Sequence, residues 1–304
     1  MLQKQTGSAN QMMERKENPR LNAILGQEYP CLDHGFIRLI DYMGTDESIV
    51  QAARVSYGKG TKQVQQDRSL IRYLMRHQHT TPFEMVEFKF HCKLPIFVAR
   101  QWIRHRTASV NEYSLRYSEA INQFYTPTPE AIRFQSKTNR QGGSAETVPS
   151  ELQARVLDIL TRQAQESFAL YEEMEQAEIA RELARIHLPV SLYTEWYWKI
   201  NLHNLLHFLQ LRLHPTAQHE IRVYAEAIAA IVKIALPITW EAFEDYMLDS
   251  VYLSRLERQV VQKVLATLPA SPNWLASALT AGLSRREAEE FAEKMQSGTT
   301  LPPE

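Results

Sequence analysis

The stretch Arg100 to Ser118, RQWIRHRTASVNEYSLRYS, constrains this chain more than any other. Up to Tyr117 it carries Arg100, Arg104, Arg106 and Arg116 against one acid, Glu112, while the whole chain has a formal net charge of −1. The positive excess is therefore local. Trp102, Ile103, Val110, Tyr113, Leu115 and Tyr117 are threaded between the charges, which a plain solvated run lacks. Burying several guanidinium groups without counter-anions costs several kcal/mol each, and one carboxylate cannot neutralise four. The segment is expected to form a partly buried pocket whose missing anions arrive with ligands. Phosphates fit best, because Arg binds them bidentately.

Spacing refines this reading. Pro95 stands where a first helical turn tolerates it, and Ile96, Ala99 and Ile103 recur at helical intervals, as do Val98 and Trp102. A helix is predicted from about Pro95 to His105, which puts Arg100 and Arg104 on one face. Beyond Arg106 the Thr, Ser and Asn residues favour a loop. On residue types alone, an amphipathic helix with a solvated arginine face remains open as the bland alternative.

The run RHRTASVNEYSLRY resembles the signature of the flavin-dependent thymidylate synthases. That signature is RHR, two variable residues, Ser, any residue, Asn-Glu, any, Ser, any, Arg-Tyr. Arg104, His105, Arg106, Ser109, Asn111, Glu112, Ser114, Arg116 and Tyr117 occupy its fixed positions. The likeness runs from about Gly35 to Tyr246, through HTTPFE, PIFVARQW, ARIHLP and NLHNLLHFLQLR. It implies an α+β fold, a mixed β-sheet core with long flanking helices, here followed by a C-terminal helical extension. It implies reductive methylation of dUMP to dTMP, with tightly bound FAD, methylenetetrahydrofolate as carbon donor and NADPH as reductant. It also implies a homotetramer with active sites built between subunits.

Carried over by position, the resemblance assigns candidate roles. FAD contacts fall at His79, Thr81, Arg104, His105, Arg106, Glu112, Asn201, Leu202, His203 and His207. The dUMP contacts fall at Gln101, Trp102, Ile103, Arg104, Glu112, Tyr113, Ser114, Leu115, Arg116, Arg185 and Arg212. Family members differ at the position of His203, some carrying Arg. Arg212 is the catalytic candidate: a guanidinium against the uracil edge stabilises negative charge developing on the ring. The family needs no enzyme thiolate, and neither Cys31 nor Cys92 has an electropositive setting that would lower its pKa.

Other features set bounds. With 304 residues and 44% hydrophobic content the chain can bury a sizeable core. Near-zero net charge argues against a general nucleic-acid or membrane-surface binder. The two cysteines are far apart and form no CxxC, so neither a zinc knuckle nor a disulfide framework is expected. No apolar h-region opens the chain and no run reaches the length of a membrane helix, so a cytoplasmic protein is expected.

In order, residues 1–32 read as a mobile polar arm, 33–248 as the synthase domain and 249–304 as the extension. A strand is predicted over Phe36–Tyr42 and a helix carrying Ile49, Ala52, Ala53 and Val55. A Gly-Lys-Gly turn follows at 58–60, then a helix capped by Asp67. Thr81, Pro82 and Glu84 read as N-cap, N1 and N3 of a single turn whose backbone N–H groups face an anion; a structural turn is the other reading. Val86–Lys93 alternates as a strand should. Ser136–Ser150, with its Gly142–Gly143 pair, reads as a flexible surface loop. Helices are expected over Leu152–Glu175, Ile179–Ile186, Trp196–Arg212 and Gln218–Leu236, then around Trp240–Tyr246, Leu253–Leu265 and Arg285–Met295. The residues past Tyr246 include charged stretches such as Ser284–Glu287 but no ligand-like cluster, so residues 270–304 are expected to be dispensable for flavin binding.

His203 and His207 stand at i and i+4, as in HExxH zinc sites, but Asn204 replaces the general base and no third ligand presents itself, so no metal is expected. Ser109 lacks the acid and base of a nucleophile set, and a loop hydrogen bond suits it better. A rival function is an arginine-rich helix binding RNA or single-stranded DNA with Trp102, Tyr113 and Tyr117. Balanced net charge and the second-half arginines, Arg185 and Arg212, weigh against it.

Overall fold

The computed structural model describes residues 18–55, 64–137, 142–267 and 272–297. The Gly-Lys-Gly turn and the first seventeen residues of the expected arm lie outside them. From Asn18 onward the arm is part of the fold. Helix α1, Pro19–Asn22, is capped by the Asn18 side chain, and strand β1, Glu28–Cys31, pairs with the sheet. Leu21 and Cys31 are buried in the main core, and the Asn18 amide donates to the Ala235 carbonyl.

Alternating burial defines the sheet. Strands β2, Gly35–Met43, and β3, Glu87–Pro95, turn every second side chain inward, the period-2 pattern of a half-buried strand. They join β4, Ser109–Glu112, and β7, Tyr193–Asn201, in a five-stranded sheet of order β1-β2-β3-β7-β4. Expected to be mixed, this sheet is antiparallel in every pairing. A separate hairpin, β5 at Arg133–Gln135 and β6 at Gly143–Thr147, occupies part of the stretch predicted as a loop.

The largest departure from the predicted elements is β7. Trp196 to Asn201 form its second half, and the helix, α8, begins only at Leu202 and ends at Arg212. Trp196 and Ile200 are four apart and fit a helical face, but Trp196, Trp198 and Ile200 also share one strand face. Burial of that face between β3 and β4 selects the strand. Likewise the residues after Arg106 leave their loop to pair as β4 along β7, where an exposed edge accommodates Ser109 and Asn111.

Helices cover the apolar face of the sheet. They are α2 (Asp46–Val55), α3 (Val64–Arg76), α5 (Ile96–Trp102), α9 (His219–Ala235) and α10 (Pro237–Phe243), with the short turn α4 (Thr81–Glu84). Asp67 lies inside α3, which starts earlier than predicted, and Pro95 caps α5 rather than opening it. Trp102 is the hub of the core, stacked on Phe208 at 4.8 Å and edge-on to Trp198 at 5.0 Å and Trp196 at 5.6 Å. Such aromatic pairs contribute about 0.5–1.5 kcal/mol each beyond buried area. The Tyr224 hydroxyl of α9 donates to the Lys93 carbonyl, and a Cβ at Gly35 would meet that hydroxyl at 2.0 Å. Close approach of α9 to the sheet therefore requires glycine there.

The long helix α6, Ser150–Gln176, packs on α7, Arg181–Ala184, around a satellite core of Phe168, Tyr171 and Ala184. Past Tyr246 come α11 (Arg255–Leu265), α12 (Trp274–Thr280), which the sequence reading missed, and α13 (Arg285–Ser297). Among the described residues no helix is long and apolar enough to cross a membrane.

Candidate active site

Helix α5 ends at Trp102 because that side chain belongs to the aromatic core. The chain must then cross from the covered face of the sheet to the edge strand β4. Arg104 to Thr107 make the crossing, with the His105 N–H bonded to the Trp102 carbonyl at 2.9 Å. Opposite them, Asn201 caps α8, its Oδ1 accepting from the Asn204 backbone N–H at 3.0 Å. One face of α8 is buried through Leu205, Leu206, Phe208 and Leu209. The other turns Asn204, His207, Leu211 and Arg212 toward the crossing loop. Between the two lies a cavity of about 580 Å³, lined by Arg104, His105, Arg106, Thr107, Ile200, Asn204, His207, Leu211 and Arg212.

The electrostatics of this cavity are unbalanced. Among the described residues no carboxylate forms an ion pair with Arg104, Arg106 or Arg212. Arg212 instead donates from Nε to His105 Nε2 at 3.1 Å. Burial lowers the Arg212 pKa, the signature of a desolvated and uncompensated cation. Burial first, then the charges of Arg212 and His207, push His105 down to about 4. His105 is therefore neutral at physiological pH, and since its Nε2 accepts, its proton sits on Nδ1. The result is a semi-enclosed cleft of guanidinium and imidazole groups with no anion of its own. Its volume and donors fit a phosphate-bearing, planar ligand such as a flavin dinucleotide.

The predicted site residues divide into three groups. Arg104, His105, Arg106, His207 and Arg212 meet in the cavity, with Asn201 and His203 at the start of α8 beside it. Glu112, Tyr113, Ser114, Leu115 and Arg116 lie at the far end of β4, roughly 10 Å along the strand at about 3.4 Å per residue. They do not line the cavity. There Glu112 accepts from the Thr194 hydroxyl at 2.9 Å, and Arg116 pairs with Glu182 at 3.3 Å in an exposed contact. Arg185 stands nearby, in the turn after α7. Gln101 is half-buried, and Ile103, at the C-cap of α5, is exposed.

The third group is corrected by burial. The side chains of Trp102 and Leu202 are 1% and 0% exposed, inside the core. Only backbone atoms remain for a ligand, and the Leu202 N–H already bonds the Val86 carbonyl. The capping box expected at Thr81 is absent: the helix α4 is capped by Thr80, without a side-chain bond. Thr81 itself is exposed. His79 follows Gln78, whose φ of 59° is left-handed, and its N–H closes onto the Leu74 carbonyl at 2.9 Å.

Thr107, Ile200, Asn204 and Leu211 line the cavity although the sequence reading did not select them. Asn204 and Leu211 carried a usable signal, since they flank His207 at i−3 and i+4 on the same helical face. His203 and His207 acquire no third ligand: among the described residues no group of three His, Cys, Asp or Glu is placed to hold a metal. Cys31 and Cys92 are both buried, which pushes the Cys31 thiol up to about 12 and raises Cys92 further.

Residues 38–238 match the family described as thymidylate synthase complementing protein. A flavin-dependent thymidylate synthase of Rickettsia prowazekii is 54% identical over 287 residues, covering 90% of this chain and 96% of its own. That of Wolbachia pipientis is 54% identical over 256 residues, with 84% and 90% covered. Crystal structures of the UMP/dUMP methylase PolB from Streptomyces cacaoi share the fold. With 5-Br dUMP bound, the TM-score is 0.65 at 34% identity, covering 72% of this chain and 99% of PolB. With 5-Br UMP bound, it is 0.64 at 35%, covering 70% and 95%. A cleft of unpaired arginines on this sheet and the extent of these matches agree: the chain belongs to the family of flavin-dependent thymidylate synthases.

Proposed function

We propose that the cleft between the Arg104–Thr107 loop and α8 holds FAD, and that it is one half of a site at which dUMP is methylated to dTMP. The activity is that of the family to which the chain belongs. The single observation that carries the placement is the desolvated Arg212 guanidinium beside Arg104 and Arg106, with no carboxylate among them. Anionic ligands supply what the chain withholds.

Arg104 and Arg106 would hold the phosphates of the flavin dinucleotide, and His207 and Asn204 would offer it hydrogen bonds. When bound, the flavin supplies the redox chemistry of the methyl transfer, with methylenetetrahydrofolate giving the carbon and NADPH the reducing equivalents. Arg212 lies against the uracil edge and stabilises negative charge on the ring. Neutral His105 fixes the Arg212 guanidinium through Nε without adding a repelling charge. Both thiols are too basic and too buried to attack a uracil ring, in keeping with a reaction that uses no enzyme cysteine.

The Glu112–Arg116 and Arg185 groups hold dUMP, and they do so for a cleft on another copy of the chain. Their distance from the cavity within one chain supports this, as do the exposed Ile179, Leu183, Ile186 and Val190 beside α7. The assembly is a homotetramer, in the cytoplasm. Dilution is then expected to reduce flavin content and turnover together. A monomer that keeps both would contradict shared sites. The placement of FAD is tested by the visible spectrum of the purified chain. A yellow protein that loses its colour on Arg106→Ala substitution supports it, and a colourless protein that binds nucleic acid in a salt-dependent manner contradicts it.

A further inference from the structure

The extension beyond Tyr246 lies outside residues 38–238, which match the family model, although the 90% coverage by the Rickettsia prowazekii relative reaches into it. From the sequence, its residues 270–304 are expected to be dispensable for flavin binding. Its contacts argue otherwise. Helices α12 and α13 form a hairpin, closed by the Trp274–Phe291 ring contact at 6.0 Å and by buried Ala278, Ala288 and Ala292. Ser284 and Glu287 form a capping box that starts α13: the Ser284 N–H donates to Glu287 at 2.9 Å, and the Glu287 N–H donates to the Ser284 hydroxyl at 3.4 Å.

Helix α13 then grips the last turn of α3. Arg72 Nε meets Glu287 at 2.8 Å, Arg76 Nε meets Glu290 at 2.7 Å, and His77 Nε2 lies 3.2 Å from Glu290. The Arg286 guanidinium sits 4.4 Å over the Tyr73 ring. Tyr73 and His77 are in turn ring neighbours at 4.3 Å, and His79 lies 5.8 Å from Tyr73 and 6.4 Å from His77. Between the histidines, Gln78 holds the left-handed conformation that a side chain bearing a Cβ adopts only with support. After His79 the chain enters α4, which packs against the cavity-lining helix α8.

We propose that the α12–α13 hairpin is a positioning element for the flavin site, with Glu290 and Arg286 fixing His79 through His77 and Tyr73. This rests on the reading of His79 as a flavin contact. Glu290 and Arg286 touch no ligand themselves. They determine where the imidazole of His79 stands before the flavin arrives, and so how much ordering the ligand must impose on binding.

The test is FAD affinity of the full chain, read by flavin fluorescence, with a melting curve for each variant. Glu290→Gln and Arg286→Ala are each expected to raise the dissociation constant about 2- to 30-fold, the range for residues that couple to a site without touching the ligand. Arg285→Ala, which removes only an exposed pair with Glu289 on the same helix, should leave it unchanged. In a His79→Ala background the Glu290→Gln substitution should add nothing, because the group it positions is gone. If His79→Ala weakens FAD while Glu290→Gln is silent or fully additive to it, the positioning role is overturned and the flavin site stands. If His79→Ala leaves affinity unchanged, His79 leaves the flavin site and the proposal falls with it. Should Glu290→Gln unfold the hairpin, Arg286→Ala carries the same test through Tyr73.

Discussion

Two arginine clusters in this molecule are built in opposite ways. Around α3, Arg68, Arg72 and Arg76 meet Glu241, Asp245, Glu287 and Glu290 at 2.5–3.2 Å, and the Tyr246 hydroxyl joins them. Around the cavity, Arg104, Arg106 and Arg212 have His105 and His207 for company and no acid. Arg68, Arg104 and Arg106 are exposed. Arg72 and Arg76 in the first cluster and Arg212 in the second are half-buried, and such guanidinium groups are costly without a counter-anion. In the first, the chain meets that cost with its own carboxylates and obtains a joint between helices. In the second it leaves the cost to a ligand, and the deficit marks the site. The acidity of the partners follows suit. Burial raises the Glu287 carboxyl, but bonds from Ser284, Tyr246 and Arg72 outweigh it and bring the pKa down to about 2.

The contrast is open to breakage at both ends. The largest expected effect lies in the compensated cluster. Glu287→Ala takes one of three carboxylates from Arg72, which keeps Glu241 and Asp245, and breaks the capping box of α13. A cap contributes about 0.5–2 kcal/mol and a charged hydrogen bond about 1.5–3 kcal/mol, so the expected cost is about 2–5 kcal/mol of stability. Denaturant unfolding, with hydrogen exchange in α13, checks it. A loss below 1 kcal/mol would make the cluster mere surface pairing. Next comes Arg212→Lys in the uncompensated cluster, where lysine keeps the charge but loses the planar fork. Turnover is expected to fall on the order of a hundredfold or more, with flavin still bound and its reduction by NADPH nearly unchanged. Stopped-flow traces beside a melting curve separate this from lost stability. Glu220, an obvious acid for a purely structural Arg212, bonds Tyr125 instead at 3.1 Å. Smaller again is Arg116→Ala, expected to weaken dUMP binding by about 1.5–3 kcal/mol. Its exposed pair with Glu182 adds little to folding, so calorimetry should show lost affinity without a shifted melting temperature.

Acid should take the two clusters apart in order. The folded pKa of His105 is depressed from 6.5 to about 4, so its contribution to stability is complete above pH 6.5 and is lost as pH falls toward 4. For Glu287 the shift is from 4.5 to about 2, so its contribution survives until pH falls below 4.5 and is lost toward 2. The loss of stability from His105, read by melting curves between pH 6.5 and 4, should therefore begin before that from Glu287, read by exchange rates in α13 between pH 4.5 and 2. An anion in the cavity offsets the Arg212 charge and raises the His105 pKa, so ligand binding near pH 5 should take up a proton. Calorimetry in buffers of different ionisation enthalpy reads this directly.

How far each cluster could be read from sequence follows from the range of its interactions. The RHR run is local, and its three residues were legible as a ligand site at once. Arg212 joins them only because β7 turns into α8, 107 residues later in the chain. The sequence reading extended α8 backward over Trp196–Asn201, since tryptophans at alternate positions fit a core helix face as well as a strand until β3 and β4 are placed on either side. Trp102 entered the ligand set through the resemblance alone, and its place in the core was not legible because its neighbours Phe208, Trp196 and Trp198 are remote in sequence. The α3–α13 joint was invisible because each half, Arg72/Arg76 and Glu287/Glu290, looks alone like a solvated helix face with i, i+4 or i, i+3 charges.

The difference between the clusters is tested most directly by flavin content after two arginine substitutions, each removing one guanidinium. Arg106→Ala takes a cation from the uncompensated cavity, and Arg68→Ala takes one from the exposed rim of the compensated cluster, where it meets Glu241 at 2.5 Å. The absorbance ratio of bound flavin to protein, measured on both variants as purified, is expected to fall severalfold for Arg106→Ala and to match the unsubstituted chain for Arg68→Ala. Full flavin in a folded Arg106→Ala protein would contradict the assignment of the unpaired arginines to the ligand.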